Sequence, residues 1–276
     1  MHMREKKRYF IIPNDKKMNE YNNDSFILPL KDFAVGFDAY FDSDEINKLS
    51  SIYNVSIIIN KFIHETDLEL IKKELLKLNN IEYFFVEDFS LMNYIPIEKI
   101  VLYPNHIISN YYSVNYLKEL GFDNVVVSNE LTIDELVDIN NHTKSNLFYN
   151  LISKNNLMYS KRELLTNYYD NYDINDRGNR IVVNEAVSDH ELIIKEENKA
   201  TTIFNNKIFC ANKYLDKLDG YNFIVNLSNI DENDKKVILD NFDNEELYKL
   251  IDSDFYFLEN KIVYKVGDLK WINQNF

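Results

Sequence analysis

The stretch KIVLYPNHIISNYYSVNYLKELGFDNVVVSN, residues 99–129, contains two short apolar runs separated by an amphipathic segment. The runs KIVLYP (99–104) and NVVVSN (124–129) are apolar along both faces, which is typical of parallel strands buried on both sides. Between them, Ser113 is a helix-start residue before VNYLKELG, and Gly121 follows the predicted helix as a C-terminal cap. The stretch therefore predicts a strand–helix–strand unit with parallel strands.

Apolar runs of the same kind recur through the chain. Eight of them have strand length and are rich in Ile, Val, Phe and Tyr: RYFIIP (8–13), SFILPL (25–30), VSIIIN (55–60), EYFFVE (82–87), KIVLYP (99–104), NVVVSN (124–129), NLFYNL (146–151) and NFIVNL (222–227). Amphipathic helical stretches lie between most of them. This repeat predicts an α/β fold, a (β/α)8 TIM-like barrel. An open, doubly wound sheet is the alternative that the same pattern allows.

One connection is much longer than the others. About seventy residues separate the seventh run from the eighth, and they include the strand-like runs NRIVVNEA, ELIIKEE and ATTIFNN. A connection of this length with strands of its own is typical of an inserted subdomain. We expect residues 1–150 and 221–276 to form the barrel and residues 151–220 to form a β-rich insertion or flap, all within one structural domain.

Composition and charge exclude several classes of protein. The only cysteine, Cys210, cannot form an internal disulfide or a cysteine-type metal site, and the five histidines show no i, i+4 pair, so we expect no cofactor. A net charge of −14 repels nucleic acids and anionic membranes. No apolar run approaches the roughly 20 residues that a membrane span needs. We expect a cytoplasmic protein without membrane association. RNA remains a partner class only for residues 151–220, which hold ten basic and eleven acidic residues.

In a barrel of this type the active site lies at the C-terminal ends of the strands. From the residues at those predicted ends we expect five to contact a ligand: Asn60, Lys61, His106, Asn129 and Asn150. The carboxyl groups there, on Glu87, Asp88 and Glu130, suit either a divalent metal or general acid–base chemistry. Helix capping is the simpler role for Asp88, and Glu130 is the strongest candidate of the three.

Two segments around the seventh strand resemble a known family. SNELT (128–132) precedes that strand and MYSKRELLTNYY (158–169) follows it. In order and in residues they resemble the peptidase U32 family, the collagenase-like peptidases, whose members show a Ser-x-Glu-Leu-Thr-like segment and a Tyr-Ser-x-Arg-x-Leu-Leu-Ser-Asn-Tyr-like turn. FILPLKDFAVGF (26–37), NKFIH (60–64) and TTIFNNKIFCANKYLDKL (201–218) extend the resemblance over nearly the whole chain.

The resemblance implies a barrel fold and a hydrolase, specifically a peptidase. Other family members look like hydroxylases of RNA bases or ubiquinone precursors that carry an iron–sulfur cluster on four cysteines. An ungapped reading places Asn156, Lys161 and Glu163 where those members have cysteines, so we expect no cluster-dependent mechanism. The alternatives are a protein related to tRNA or rRNA hydroxylation and a non-catalytic accessory subunit, either a homo-oligomer or the partner of a cysteine-bearing paralogue.

The family's turn contributes further candidate residues. Arg162 could bind a small anion or a peptide carboxylate in a bidentate manner, or form a salt bridge with Glu130. Ser160 could act as a nucleophile, or cap the helix RELLTNYY as a turn serine. We therefore predict Glu130, Arg162 and Ser160 as catalytic residues and Lys161 as a ligand-binding residue. Cys210 is either a reactive thiol or a small buried side chain.

Overall fold

Eight parallel strands form a closed barrel in the computed structural model, which describes residues 7–104, 107–184 and 190–259. The barrel strands are β1 (Tyr9–Ile12), β2 (Ser25–Pro29), β3 (Asn54–Ile59), β4 (Ile81–Val86), β5 (Ile100–Leu102), β6 (Asn124–Val126), β7 (Asn146–Ser153) and β13 (Tyr221–Asn226); the strands numbered between the last two belong to the long connection. β13 closes the ring because it pairs in parallel with both β1 and β7. Each strand overlaps a predicted run. The predicted barrel is therefore confirmed, and the open-sheet alternative is wrong.

Large apolar side chains fill the interior of the barrel. Phe10, Ile58, Phe85, Phe148 and Ile224 are fully buried in one cluster, and they come from five different strands. The Phe148 ring lies 5.5 Å from the Phe10 ring and 5.3 Å from the Phe85 ring, centroid to centroid. A barrel packed in this way has no central channel, so ligands reach it only at its ends.

The helices lie outside the barrel and bury their apolar faces against it. They are α1 (Ser43–Leu49), α2 (Glu65–Leu75), α3 (Tyr111–Glu119), α4 (Ile133–His142) and α6 (Glu232–Asn241), while α5 (Leu164–Asn171) belongs to the long connection. α3 begins before Ser113, because the Asn110 side chain accepts a hydrogen bond from the Ser113 backbone N–H at 2.9 Å and caps the helix. Gly121 has the positive φ, +98°, of a helix-ending residue, as predicted.

The connection between β7 and β13 contains a separate antiparallel sheet. Its strands are β8 (Asn156–Ser160), β9 (Arg180–Asn184), β10 (Glu191–Glu197) and β11 (Ala200–Asn205), in the order β8-β11-β10-β9. The three strand-like runs of the insertion correspond to β9, β10 and β11. β12 (Ile208–Cys210) then returns to the barrel, antiparallel to β7, and pairs with β14 (Ser253–Asp254). We call β8 to β11 the inserted sheet.

None of the helices in the described ranges is long and apolar enough to cross a membrane.

Candidate functional site

A layer of polar side chains lies above the apolar interior, at the C-terminal ends of the barrel strands. Asn60, Glu87, Tyr103, Asn150 and Asn226 each come two positions after a residue of the interior cluster. Alternate residues of a strand face the same side of the sheet, so these five side chains point into the mouth of the barrel. Four of them can give or accept a hydrogen bond without carrying a charge.

All of the layer except Glu87 lines a small cavity of about 60 Å³. Barrel residues line one side, among them Asn60, Tyr103, Asn129, Glu130, Asn150 and Asn226. The opposite side comes from the inserted sheet and the C-terminal segment, through Leu157, Phe204, Asn205, Tyr256 and Phe257. Carboxamides and aromatic rings dominate this lining, with Glu130 as its carboxylate and Lys154 as its cation. Such a lining suits a neutral ligand that donates and accepts hydrogen bonds.

A chain of hydrogen bonds fixes the carboxamides in place. The Tyr103 hydroxyl donates to Asn150 Oδ1 at 3.3 Å, and Asn150 Nδ2 donates to Asn129 Oδ1 at 3.3 Å. Asn129 Nδ2 then donates to Asn155 Oδ1 at 3.1 Å, which also accepts from Ser153 Oγ at 2.7 Å. The chain links β5, the residues after β6, and the end of β7. Linked groups of this kind hold their neighbours in one orientation, which preorganises the cavity wall.

Asn60 supports the loop after β2. Its Oδ1 accepts from the Val35 N–H at 2.9 Å and its Nδ2 donates to the Val35 carbonyl at 3.1 Å. The loop continues to Gly36, whose φ is +88° and where a Cβ would lie 2.8 Å from Cζ of Phe204. Asn60 therefore lines the cavity and also positions the backbone against which the inserted sheet packs.

The carboxyl group of Glu87 has an unusual ionisation. Burial raises the pKa of Glu87 to about 8, so this side chain is mostly protonated at neutral pH. Burial likewise raises the pKa of Tyr103 to about 12, with the nearby Glu87 as a smaller cause, so the phenol stays neutral. Glu87 lies in a groove that adjoins the cavity, and Asn156 and Leu157 line both spaces. A buried carboxylic acid beside a cavity is a recurrent feature of active sites.

An ion-pair cluster around a buried lysine joins the inserted sheet to the mouth of the barrel. Lys195 on β10 is 8% exposed, and its Nζ lies 3.1 Å from Asp38 Oδ1 and 3.4 Å from Glu197 Oε2. Lys195 Nζ also donates to the Phe37 carbonyl, and Glu197 Oε1 accepts from the Gly36 N–H at 2.8 Å. These contacts join the inserted sheet to the loop after β2 and close the cavity on that side.

A family model described as Peptidase family U32 matches residues 16–227. The chain belongs to the peptidase U32 family. The resemblance found in the sequence is thereby confirmed. One solved structure, that of the U32 peptidase Mk0906, shares 12% identity with this chain over 54% of this chain and 70% of that chain, with a TM-score of 0.45. No curated protein matches the chain.

The turn that resembles the family's signature lies outside the cavity lining of the described residues. Ser160 is the last residue of β8, and its Oγ accepts from the Arg162 backbone N–H at 3.2 Å. The Arg162 side chain is exposed, and the Arg162 backbone carbonyl accepts a hydrogen bond from Thr201 Oγ1 at 2.7 Å. Lys161 Nζ lies 3.6 Å from Asp67 Oδ2 on α2. Glu130 lines the cavity, whereas Ser160, Lys161 and Arg162 are not among its lining residues in the described ranges.

The other sequence candidates have varied positions. Lys61 Nζ donates to the Asp32 carbonyl at 3.1 Å, and His106 lies outside the described residues. Asp88 accepts from the Ser90 N–H at 2.8 Å and from the Ile63 N–H at 3.3 Å, which is the capping role considered from the sequence. Across the described ranges, no group of three or more His, Cys, Asp or Glu side chains could hold a metal ion.

The residues present do not fit the iron–sulfur cluster of other family members. Such a cluster takes about four thiolates, and this chain has one cysteine. Cys210 is fully buried on β12, and burial raises the pKa of its thiol to about 11. Asn156 lines the cavity, while Lys161 pairs with Asp67. We derive no reaction step through a cluster.

Sequence reasoning missed Tyr103, Ser153 and Asn155 as parts of the mouth. β7 continues to Ser153, beyond the apolar run that ends at Leu151, and its pairing with β13 shifts register between Asn150 and Ile152. The polar run SKNN (153–156) directly after an apolar strand was the signal that could have indicated Ser153 and Asn155.

Proposed function

We propose that this U32-family protein is a hydrolase that binds a short peptide at the barrel mouth and cleaves one of its amide bonds. The observation that carries the proposal is the preorganised row of carboxamides beside Glu130 at the C-terminal ends of the strands. A peptide group has one donor and one acceptor, which the Asn side chains of the lining match. The aromatic residues of the lining would pack against the peptide's side chains.

Glu130 and Glu87 take the acid–base roles in this proposal. The Glu130 carboxylate removes a proton from a water molecule, which attacks the carbonyl carbon of the bound amide. Glu87, whose pKa of about 8 keeps it protonated at neutral pH, gives its proton to the leaving nitrogen. Water adds across the C–N bond, and the products are a carboxylic acid and an amine.

Ser160, Lys161 and Arg162 have a structural role in this proposal. Ser160 Oγ and Thr201 Oγ1 hold the turn before α5, and Lys161 ties that turn to α2 through Asp67. Asn129 and Asn150 orient the peptide, and Asn60 holds the loop above them. We assign neither a nucleophile nor an anion clamp to the turn.

A non-catalytic accessory subunit is the second candidate. The observation that favours it is the small size of the cavity, about 60 Å³, beneath an inserted sheet that is fixed by the Lys195 ion pairs. This volume is small for a peptide ligand, since ligand pockets are typically about 300–1,000 Å³. RNA is a weaker candidate ligand, because the chain carries a net charge of −14.

Exposure of the purified protein to a peptide library, followed by mass spectrometry of the products, tests the proposal. We expect new peptide termini with the wild type and none with Glu130→Gln, whose side chain keeps its size but is a poor base. Glu119→Gln is the matched control, because Glu119 is exposed at the end of α3. Equal melting temperatures of the three proteins would exclude misfolding. Absence of cleavage by the wild type at every pH from 5 to 9 would favour the accessory subunit.

A further inference from the structure

A second concave surface lies beside the barrel mouth. It is a groove of about 580 Å³ between β8 and the segments that follow β3, β4 and β5. Its lining is mostly apolar: Phe62, Phe89, Pro104, Ile107, Leu157 and Met158. We call it the β8 groove. Its volume lies within the range of ligand-binding pockets, roughly 300–1,000 Å³.

The apolar side chains of the β8 groove are unusually exposed. Ile107 is 73% exposed, Phe89 53% and Phe62 48%. Leu157 and Met158, on β8 itself, are also exposed. Single exposed apolar residues are ordinary, but a contiguous set in a concave surface is typical of a binding site.

β8 is an edge strand of the inserted sheet in the part of the chain that the structure describes. β8 pairs with β11 on one side, and within the described ranges no strand pairs with its other side. An edge strand presents unpaired backbone N–H and C=O groups, which an extended peptide can use to add a further strand. Leu157 and Met158 then border the site where the side chains of that peptide would lie.

The β8 groove is continuous with the cavity. Asn156 and Leu157 line both, so a chain lying along β8 would lead into the mouth. Asn156 Oδ1 is buried and has no hydrogen-bond partner within the described structure. A buried acceptor without a donor is costly, and an N–H group of a bound peptide would satisfy it.

The charge in the groove favours an uncharged partner. The Asp88 carboxylate already accepts hydrogen bonds from the Ser90 and Ile63 backbone N–H groups. The pKa of Glu87, about 8, leaves that side chain mostly neutral at pH 7. A basic peptide would therefore find little electrostatic attraction here.

We propose that the β8 groove binds an extended peptide segment with apolar side chains at alternate positions, which adds to β8 as an antiparallel or parallel strand. The inference rests on the proposed function and deepens it, because it names the substrate as an apolar, extended peptide. The groove selects the substrate and the cavity cleaves it.

Fluorescence polarisation tests this binding directly with the full chain. The probe is the labelled hexapeptide amide Ser-Val-Ser-Phe-Ser-Val, and its charged counterpart is Ser-Lys-Ser-Glu-Ser-Lys. We expect the apolar peptide to bind at least tenfold more tightly than the charged one. Two further forms of the apolar peptide carry N-methyl groups, one on residues 1, 3 and 5 and the other on residues 2, 4 and 6. Only one of these sets can direct its backbone N–H groups toward β8, so we expect one methylated form to lose binding and the other to keep it. Equal binding of both methylated forms would overturn strand addition.

Matched isoleucine substitutions locate the site. Ile107→Lys should weaken binding at least tenfold, whereas Ile52→Lys should leave it unchanged, because Ile52 is 72% exposed before β3, at the opposite end of the barrel. Equal effects would overturn the proposal. Two other results would also overturn it. If the peptide bound only after removal of residues 260–276, the occupant of the groove would be that segment. If the wild type self-associated and Ile107→Lys abolished the association, the occupant would be a second copy of the chain.

Glu130→Gln separates this inference from the proposed function. It should bind the apolar hexapeptide with the wild-type affinity, because Glu130 lines the cavity and not the groove. Tight binding that depends on Ile107, without cleavage, would support peptide binding in the β8 groove and contradict the hydrolase function. Peptide cleavage that Ile107→Lys leaves unchanged would support the hydrolase function and contradict substrate binding in the β8 groove.

Discussion

The barrel closes around phenylalanine and isoleucine side chains, whereas the inserted sheet is joined to it through a buried lysine and two carboxylates. Apolar packing within a closed ring of strands is continuous, so the residues above it are held at fixed positions. An ion-pair cluster is one discrete contact that can open as a unit. The comparison indicates that the barrel supplies the chemical groups of the mouth, and that the inserted sheet supplies their cover and the β8 edge.

The largest expected effect is a loss of stability when the apolar interior of the barrel is disrupted. Phe148→Ala removes the ring that packs between Phe10 and Phe85, and we expect it to lower the free energy of unfolding by about 3–5 kcal/mol. Tyr168→Ala, at an exposed position on α5, should change it by less than about 0.5 kcal/mol. Urea denaturation measures both. Equal losses would contradict the view that the barrel interior holds the molecule together.

The second prediction concerns the ion pairs that join the inserted sheet to the barrel. Lys195→Ala leaves the partly exposed Asp38 and Glu197 carboxylates without their cation, which should cost less than the roughly 3 kcal/mol of a fully buried pair. We expect the inserted sheet to open, so that limited proteolysis cuts the wild type more slowly than the variant between residues 154 and 207. Lys199→Ala, at an exposed position in the β10–β11 turn, is the control and should behave as the wild type. Unchanged proteolysis of Lys195→Ala would mean that apolar contacts hold the sheet.

The ionisation of Glu87 gives the third prediction. Its pKa is about 8 in the folded chain, above the ordinary value near 4.5, so the folded state binds more protons than the unfolded state between these values. Stability should therefore fall as the pH rises from about 5 to 8, by at most about 1.4 kcal/mol per pH unit. Glu87→Gln should flatten this slope and Glu65→Gln, an exposed control on α2, should not. A slope that Glu87→Gln leaves unchanged would contradict the assignment of the burial cost to Glu87.

The smallest effect concerns the turn after β8. Ser160→Ala loses one hydrogen bond to the Arg162 backbone N–H and should cost about 0.5–1.5 kcal/mol. Arg162→Ala, at an exposed side chain, should cost less than about 0.5 kcal/mol. In the library assay both variants should cleave at the wild-type rate. A hundredfold loss of cleavage in either one would restore the turn to the active site.

The barrel could be predicted from the sequence because its strands are buried on both faces and read as continuous apolar runs. β8 could not be predicted as a strand: its residues mix polar and apolar types, and it forms by pairing with β11, about forty residues away. Tertiary contacts of this kind override local preference.

The same distinction holds for the candidate site. Asn129 and Asn150 were predicted from their positions at or near strand ends, and both lie in the cavity lining. Arg162 was predicted as a catalytic residue from the family resemblance, yet its position depends on where the inserted sheet carries the turn. Asn155 was missed because β7 runs on past its apolar segment before the chain turns.

A crystal structure of the protein soaked with the apolar hexapeptide amide directly tests whether a peptide binds along β8 and leads into the barrel mouth, since the experiment needs no catalysis. We expect peptide density along β8 that ends within hydrogen-bond distance of Asn150 or Asn129. Density on Lys161 and Arg162, with the barrel mouth unchanged, would contradict it.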